Sequence, residues 1–201
     1  MAYALSEKFA SLKPSAVREI LKVTSQPDMI AFAGGSPDSA AFPCEEVKNI
    51  TAEILDENPV SALVYGVSEG YEPLRKTVAE WLKRRDNIGT EDDSVIITAG
   101  GTQVMDITTR IMTSPGDTVI CEEPSFIGSL NCFRSHGCKL AGVPIDADGM
   151  NIDALERVIA ENPDAKFIYT IPNFQNPGGT TMSLETVSYT HLRAHETLMN
   201  L

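Results

Sequence analysis

The sequence predicts an α/β fold, a mostly parallel sheet flanked by helices. Two observations predict it. From residue 94 onward, short runs rich in Val and Ile alternate with segments of helical period, separated by Gly- and Pro-containing turns. The residues with the most chemical character also fall just after the apolar runs, and the carboxyl ends of strands are where open α/β sheets gather ligands. Crossovers in such a sheet are right-handed.

The elements follow in order along the chain. Pro14 opens a helical pattern with Val17, Ile20 and Leu21 on one face. "MIAFAGGSPD" reads as a strand broken by Gly34-Gly35 and a Ser-Pro-Asp turn. Val47, Ile50, Ile54 and Leu55 mark a second helix, and "ALVYGVSEGYEP" a loop. Pro73 starts a third helix with Leu74, Val78, Trp81 and Leu82 as its apolar face. "SVIIT" is then expected to be a buried strand. A helix with Val104, Ile107 and Ile111 follows Gly100-Gly101, and "TVICEE" is the next strand. Residues 125–135 are expected to be helical, "KLAGVPID" a strand, Ile152 to Ala160 a helix and "KFIYTIP" a strand.

Bulk properties exclude several functions. The chain has 201 residues, 42% of them apolar, and a formal net charge of −12. No Lys/Arg stripe offsets the acidity, so no nucleic-acid partner is expected. No apolar run is long enough to span a bilayer, so no membrane role is expected either. Glu7, Lys8 and Lys13 interrupt the N-terminus where an export signal needs an apolar run. Cys44, Cys121, Cys132 and Cys138 form no C-x-x-C pair and read as ordinary packing or surface residues. A cytoplasmic location is expected.

Three short segments carry the chemistry. In "TAGGTQ" (98–103) two glycines let the backbone turn sharply into a helix. The first-turn N–H groups and the Thr102 hydroxyl then form a natural anion site. The segment matches neither a Walker A loop nor G-x-G-x-x-G, and such a junction can also be a plain turn. In "EEPSF", Phe126 at a helix start either packs in a core or stacks on a flat heteroaromatic ring. In "YTIPNFQNPGG", Asn176 offers an uncharged amide donor at a strand end, or else makes an ordinary turn before Pro177-Gly178-Gly179.

Taken together and in this order, the three segments resemble the class I and II pyridoxal-phosphate-dependent aminotransferases of fold type I. The likeness is to the branch of 2-aminoadipate, kynurenine and aromatic amino acid aminotransferases. "FAGGSPD", "ALVYGVSEGYEPLR" and "SPGDTVICEEPSF" fit it too, and the likeness runs from about Ala10 to Ser183. It implies a truncated aminotransferase large domain, with an N-terminal arm at 1–45, a partial cofactor-binding domain at 46–185 and a non-family tail at 186–201. The implied cofactor is pyridoxal 5′-phosphate. On the resemblance, Gly101, Thr102 and Gln103 hold its phosphate, Phe126 stacks on its ring, and Asn176 bonds its phenolic oxygen and helps to place the substrate carboxylate. Tyr65 reaches the phosphate of the neighbouring subunit in a homodimer. Gly35 and Arg18 lie against substrate.

The implied reaction moves an amino group from an amino acid to a 2-oxo acid, 2-oxoglutarate in the first place. The donor amino acid is not specified. The family's Schiff-base lysine and ring-nitrogen aspartate lie beyond the Asn motif, and the last lysine here is Lys166. The 201 residues are therefore expected to be a fragment with no catalytic residue of its own, inactive alone. Other readings of the scaffold are the effector domain of a transcriptional regulator, a β-lyase, or a domain without activity. His191 and His195, four apart in the tail, are expected to lie on a plain helix or in disorder, and no metal site is expected.

Overall fold

The computed structural model describes residues 38–198, with side chains through residue 191. The helix expected after Pro14 and the strand in "MIAFAGGSPD" lie outside the described residues, Asp38 excepted. The described chain divides into two compact units, one ending at Ile97 and the other beginning at Thr98.

The first unit is helical. A 3-10 turn at Ser39–Ala41 is capped by Asp38, whose carboxylate accepts from the Ala40 N–H at 2.9 Å. Helix α1 (Cys44–Glu57) carries Glu45 and Glu46 in its first turn, complementing the helix dipole. A short helix α2 (Pro59–Leu63) is capped by the Asn58 side chain, which accepts from the Ser61 N–H at 3.3 Å. Only its last two residues, Ala62 and Leu63, overlap "ALVYGVSEGYEP", and residues 64–71 form the expected loop. Helix α3 (Glu72–Asp86) has Pro73 in its first turn and ends on Asn87 in the left-handed region at φ 55°. Arg85 lies 3.7 Å over the Trp81 ring.

The expected apolar faces have the helical period but are not buried. Val47, Ile50, Ile54 and Leu55 are all exposed, and so are Leu74 and Trp81. "SVIIT" is not a strand, which corrects the sequence reading. Its backbone is engaged by the helical unit instead: Val95 C=O accepts from Arg75 Nε at 2.5 Å, and the Ile97 N–H donates to Glu69 C=O at 2.9 Å. β-propensity describes a fit to a pleated, half-buried surface, and no described strand pairs with this run.

The second unit is the α/β layer. Helix α4 (Gly101–Met112) leads to strand β1 (Thr118–Glu123), helix α5 (Ile127–Ser135) and strand β2 (Lys139–Asp146). A tight turn gives the two-residue strand β3 (Gly149–Met150). Helix α6 (Ile152–Glu161), strand β4 (Phe167–Tyr169) and helix α7 (Leu184–Leu198) complete it. The sheet order is β3-β2-β1-β4. β1 runs parallel to both β2 and β4, with Ile120 opposite Ala141 and Ile168, and β3 is antiparallel to β2. The expected mostly parallel α/β sheet is therefore present.

Strand alternation splits the core in two. Ile120 points to one face and packs with Val143, Met150, Ala154, Leu155 and Met182 under α6. Val119 points to the other and packs with Phe133 and Cys138 under α5, joined by Met105 of α4. β1 is buried on both faces, as a central parallel strand should be. Cys121 on this strand is almost fully covered. Burial first, then the nearby Glu123 carboxylate, pushes its thiol up to about 11, so it is a packing residue rather than a nucleophile.

Helix α4 buries only part of the expected face, with Ile107 half-buried. Val104 and Ile111 are exposed, whereas Met105 meets the core and Thr109 is fully buried. The Thr109 hydroxyl donates to Met105 C=O at 2.6 Å, so its own helix satisfies the polar atom and burial costs little. Helix α7 includes His191 and packs on α6, with Thr186 and Thr190 buried.

Candidate active site

The predicted site segments are the start of α4 and the segments that follow β1 and β4. Gly100 caps α4 with φ 85°, a conformation that favours glycine, and no side chain caps this terminus. The Gln103 N–H bonds back to Gly100 C=O at 3.1 Å, and the Gln103 side-chain oxygen accepts from the Ala99 N–H at 2.5 Å. Gln103 thus closes the turn, leaving its NH2 group as a further donor. The Gly101 and Thr102 N–H groups have no acceptor among the described residues. A Cβ placed on Gly101 would meet nothing within 4 Å. Uncapped first-turn donors beside open space, with the exposed Thr102 hydroxyl, suit a phosphate.

β1 ends at Glu123 and Pro124-Ser125-Phe126 leads into α5. Phe126 is partly exposed, and its ring lies over Gly128, where a Cβ would come within 2.5 Å of the ring edge. Gly128 therefore leaves the ring its place. Ser125 Oγ is buried without a hydrogen-bond partner, alone in this among the described side chains. A buried hydroxyl left unpaired next to the aromatic calls for a partner.

β4 ends at Tyr169 and the chain forms a closed loop over residues 170–182. Three backbone bonds close it: Met182 N–H to Pro172 C=O at 2.8 Å, Gln175 N–H to Thr180 C=O at 2.8 Å, and Gly179 N–H to Gln175 C=O at 2.5 Å. Phe174 sits in the left-handed region at φ 49°, which costs about 1 kcal/mol for a residue with a Cβ. Its N–H donates to the Thr181 hydroxyl at 3.2 Å. Gln175 then faces inward, 3% exposed, and Asn176 faces solvent.

What fixes Asn176 is a buried carboxylate that the sequence reading missed. Glu122 on β1 is 2% exposed. One of its oxygens accepts from the Thr170 hydroxyl at 2.5 Å and from the Ile171 N–H at 3.1 Å. The other accepts from Gln175 Nε2 at 2.9 Å. Gln175 Nε2 also donates to Pro124 C=O at 2.9 Å, and its oxygen accepts from the Gly178 N–H at 2.6 Å. The turn carrying Asn176 is thereby tied to the segment carrying Phe126. β1 and β4 are parallel neighbours, so both residues leave the sheet at the same, carboxyl edge. The sequence held one signal for this network: alternation along "CEE" must send one of two adjacent glutamates inward.

Tyr65 lies in the first unit and is 98% exposed. Gly35 and Arg18 lie outside the described residues. Two clefts in the second unit, of about 470 and 230 Å³, include none of the predicted site residues. The larger is lined by acidic groups such as Asp146, Asp148 and Glu185, a poor setting for a phosphate.

Comparison with known proteins bears on this arrangement. Residues 27–196 match the family model of aminotransferase class I and II. The chain is 37% identical over 182 residues to the aromatic-amino-acid aminotransferase 1 of Thermococcus litoralis, covering 89% of this chain and 44% of that protein. It is 41% identical over 169 residues to the 2-aminoadipate transaminase of Thermus thermophilus, covering 84% of this chain and 41% of that one. Its fold is similar to the crystal structure of a kynurenine aminotransferase from Pyrococcus horikoshii in complex with PMP, with a TM-score of 0.88 and 35% identity. That match covers 96% of this chain and 48% of the other. The chain thus spans less than half the length of these relatives.

Proposed function

Because the chain belongs to the class I and II aminotransferase family, we propose that it forms the cofactor-holding part of an aminotransferase that uses pyridoxal 5′-phosphate. The observation that carries this reading is the Glu122–Gln175–Pro124 tie, which holds Asn176 and Phe126 at one edge of the sheet. The uncapped start of α4 supplies donors of the kind a phosphate needs.

In this reading the Gly101 and Thr102 N–H groups and the Thr102 hydroxyl bind the phosphate, and Gln103 keeps their turn closed. Phe126 covers one face of the ring and keeps water from it. Asn176 donates to the phenolic oxygen and orients the substrate carboxylate. Ser125 is a further donor next to the ring. The cofactor, when bound, supplies the electron sink through which an amino group passes from an amino acid to a 2-oxo acid, 2-oxoglutarate in the first place. Gly35 and Arg18 are assigned to the substrate side. A Schiff-base lysine is not among residues 177–201, since the last lysine is Lys166.

The exposed Tyr65 and the apolar stripe of α1 suit a homodimer in which each Tyr65 serves its partner's phosphate. No described helix is long and apolar enough to cross a membrane, and the four described cysteines are free. The free thiols suit the reducing cytoplasm.

Pyridoxamine phosphate tests the reading, because its binding needs no lysine. Calorimetry should detect one site on the chain. Thr102→Val and Asn176→Ala should each weaken binding about tenfold, or about 1.4 kcal/mol. Absence of binding, or equal affinity in both variants and the parent, contradicts the assignment.

A further inference from the structure

Away from the sheet edge, helices α4 and α5 bring together three side chains of metal-ligand chemistry. Asp106 comes from α4. Cys132 comes from α5, and His136, four residues later, caps that helix on the same face. One carboxylate oxygen, the thiol sulfur and one imidazole nitrogen all lie within 4.8 Å of one another. We propose that Asp106, Cys132 and His136 bind a divalent transition metal of borderline softness, zinc in the first place, which cross-links α4 to α5.

The donor set selects the metal. A thiolate and an imidazole exclude magnesium and calcium, which take oxygen ligands, and one carboxylate completes a mixed set familiar to zinc. His136 Nε2 already faces Asp106 Oδ1 at 2.8 Å. Two ligands at about 2.1 Å in a tetrahedral site stand about 3.4 Å apart, so a metal enters between these atoms with an opening of roughly 0.6 Å. The other Asp106 oxygen is held by Arg110 at 3.0 Å, an outer partner that orients the carboxylate. The site is half-buried, the imidazole 15% exposed and the carboxylate 34%. That shields the ligands while leaving a way in, and water takes the fourth position.

The Cys132 thiol must lose its proton to enter the site. Burial first and the Asp106 charge second raise its pKa, so without a metal it stays protonated. Thr109 and Arg110 act the other way, and Cys138 adds to the rise. A divalent cation reverses the balance, because it turns two mutually repelling anions into shared ligands and releases the thiol proton to solvent. The rival account is a His136–Asp106–Arg110 chain beside a packing cysteine. It predicts no metal binding at all. The inference is independent of the cofactor reading, since none of the three ligands belongs to that site.

Cobalt reports the site directly. After chelator treatment, the chain should take up one equivalent of Co2+ with a thiolate-to-cobalt charge-transfer band, and Zn2+ should displace it. Cys132→Ser should abolish that band, and His136→Gln should weaken binding at least tenfold. The His191→Gln/His195→Gln variant, which removes the helical pair in α7, should bind as the parent does. Mass spectrometry of the unaltered chain gives a second readout: Zn2+ should slow alkylation of Cys132 at least tenfold and leave the exposed Cys44 unaffected. No uptake by the parent chain, a band that survives Cys132→Ser, loss of binding in the α7 variant, or no protection of Cys132 would each overturn the proposal.

Discussion

Truncating Phe133 to alanine is expected to destabilise the second unit by about 3–5 kcal/mol. Phe133 is fully buried on the inner face of α5. Its ring makes edge contacts with Phe167 and Tyr169, at centroid separations of 5.5 and 5.4 Å. The change therefore removes aromatic pairing as well as apolar area, and leaves a cavity on β4, the strand that leads to Asn176. Tyr169 also accepts from the Ser129 hydroxyl at 2.9 Å, and that bond loosens when its ring loses support. Urea unfolding should show a lower midpoint with an unchanged slope. A loss under about 1 kcal/mol would mean that this face of the sheet is not a packed core.

Glu122→Gln is expected to cost about 2–3 kcal/mol, although the shape is conserved. The amide turns one acceptor into a donor. Its NH2 must then face either Gln175 Nε2 or the Thr170 and Ile171 donors, and each choice leaves buried donors opposed. The effect should reach the site, because Gln175 holds the turn that presents Asn176. Pyridoxamine phosphate affinity should therefore fall together with stability. Adding Gln175→Glu should restore part of both, since the new carboxylate accepts from the amide introduced on β1 and still accepts from the Gly178 N–H. Restoration stays partial because Pro124 C=O loses its donor. Strict additivity of the two substitutions would show that these side chains are not coupled.

Periodicity made the α/β layer legible. "TVICEE" and "KLAGVPID" could be read as strands because each packs on both faces, and Ile152 to Ala160 as a helix because its apolar spacing is regular. "SVIIT" has a composition close to that of β1 but no described partner strand, and pairing is not written in a run's own residues. In α4 the apolar stripe pointed to Val104 and Ile111, while Thr109 took the core position by bonding its own helix. Glu122 escaped because a glutamate reads as surface charge, and its partner Gln175 is 53 residues away. Asp106, Cys132 and His136 escaped for a similar reason. The i, i+4 pair is visible in sequence, but only the packing of α4 on α5 adds the carboxylate. Phe126 and Asn176, by contrast, stand out locally as an aromatic and an amide placed after strand ends, and only the family resemblance gives them a cofactor role.

Gly101, Thr102, Gln103, Phe126 and Asn176 are proposed to surround one cofactor at the carboxyl edge of the sheet. Amide chemical shifts of the labelled chain, followed during titration with pyridoxamine phosphate, test it most directly. Saturable shifts are expected at Gly101–Gln103, Ser125–Phe126 and Gln175–Gly178, with the cleft lined by Asp146, Asp148 and Glu185 unmoved. Shifts at that acidic cleft with none at Thr102 and Asn176 would contradict it.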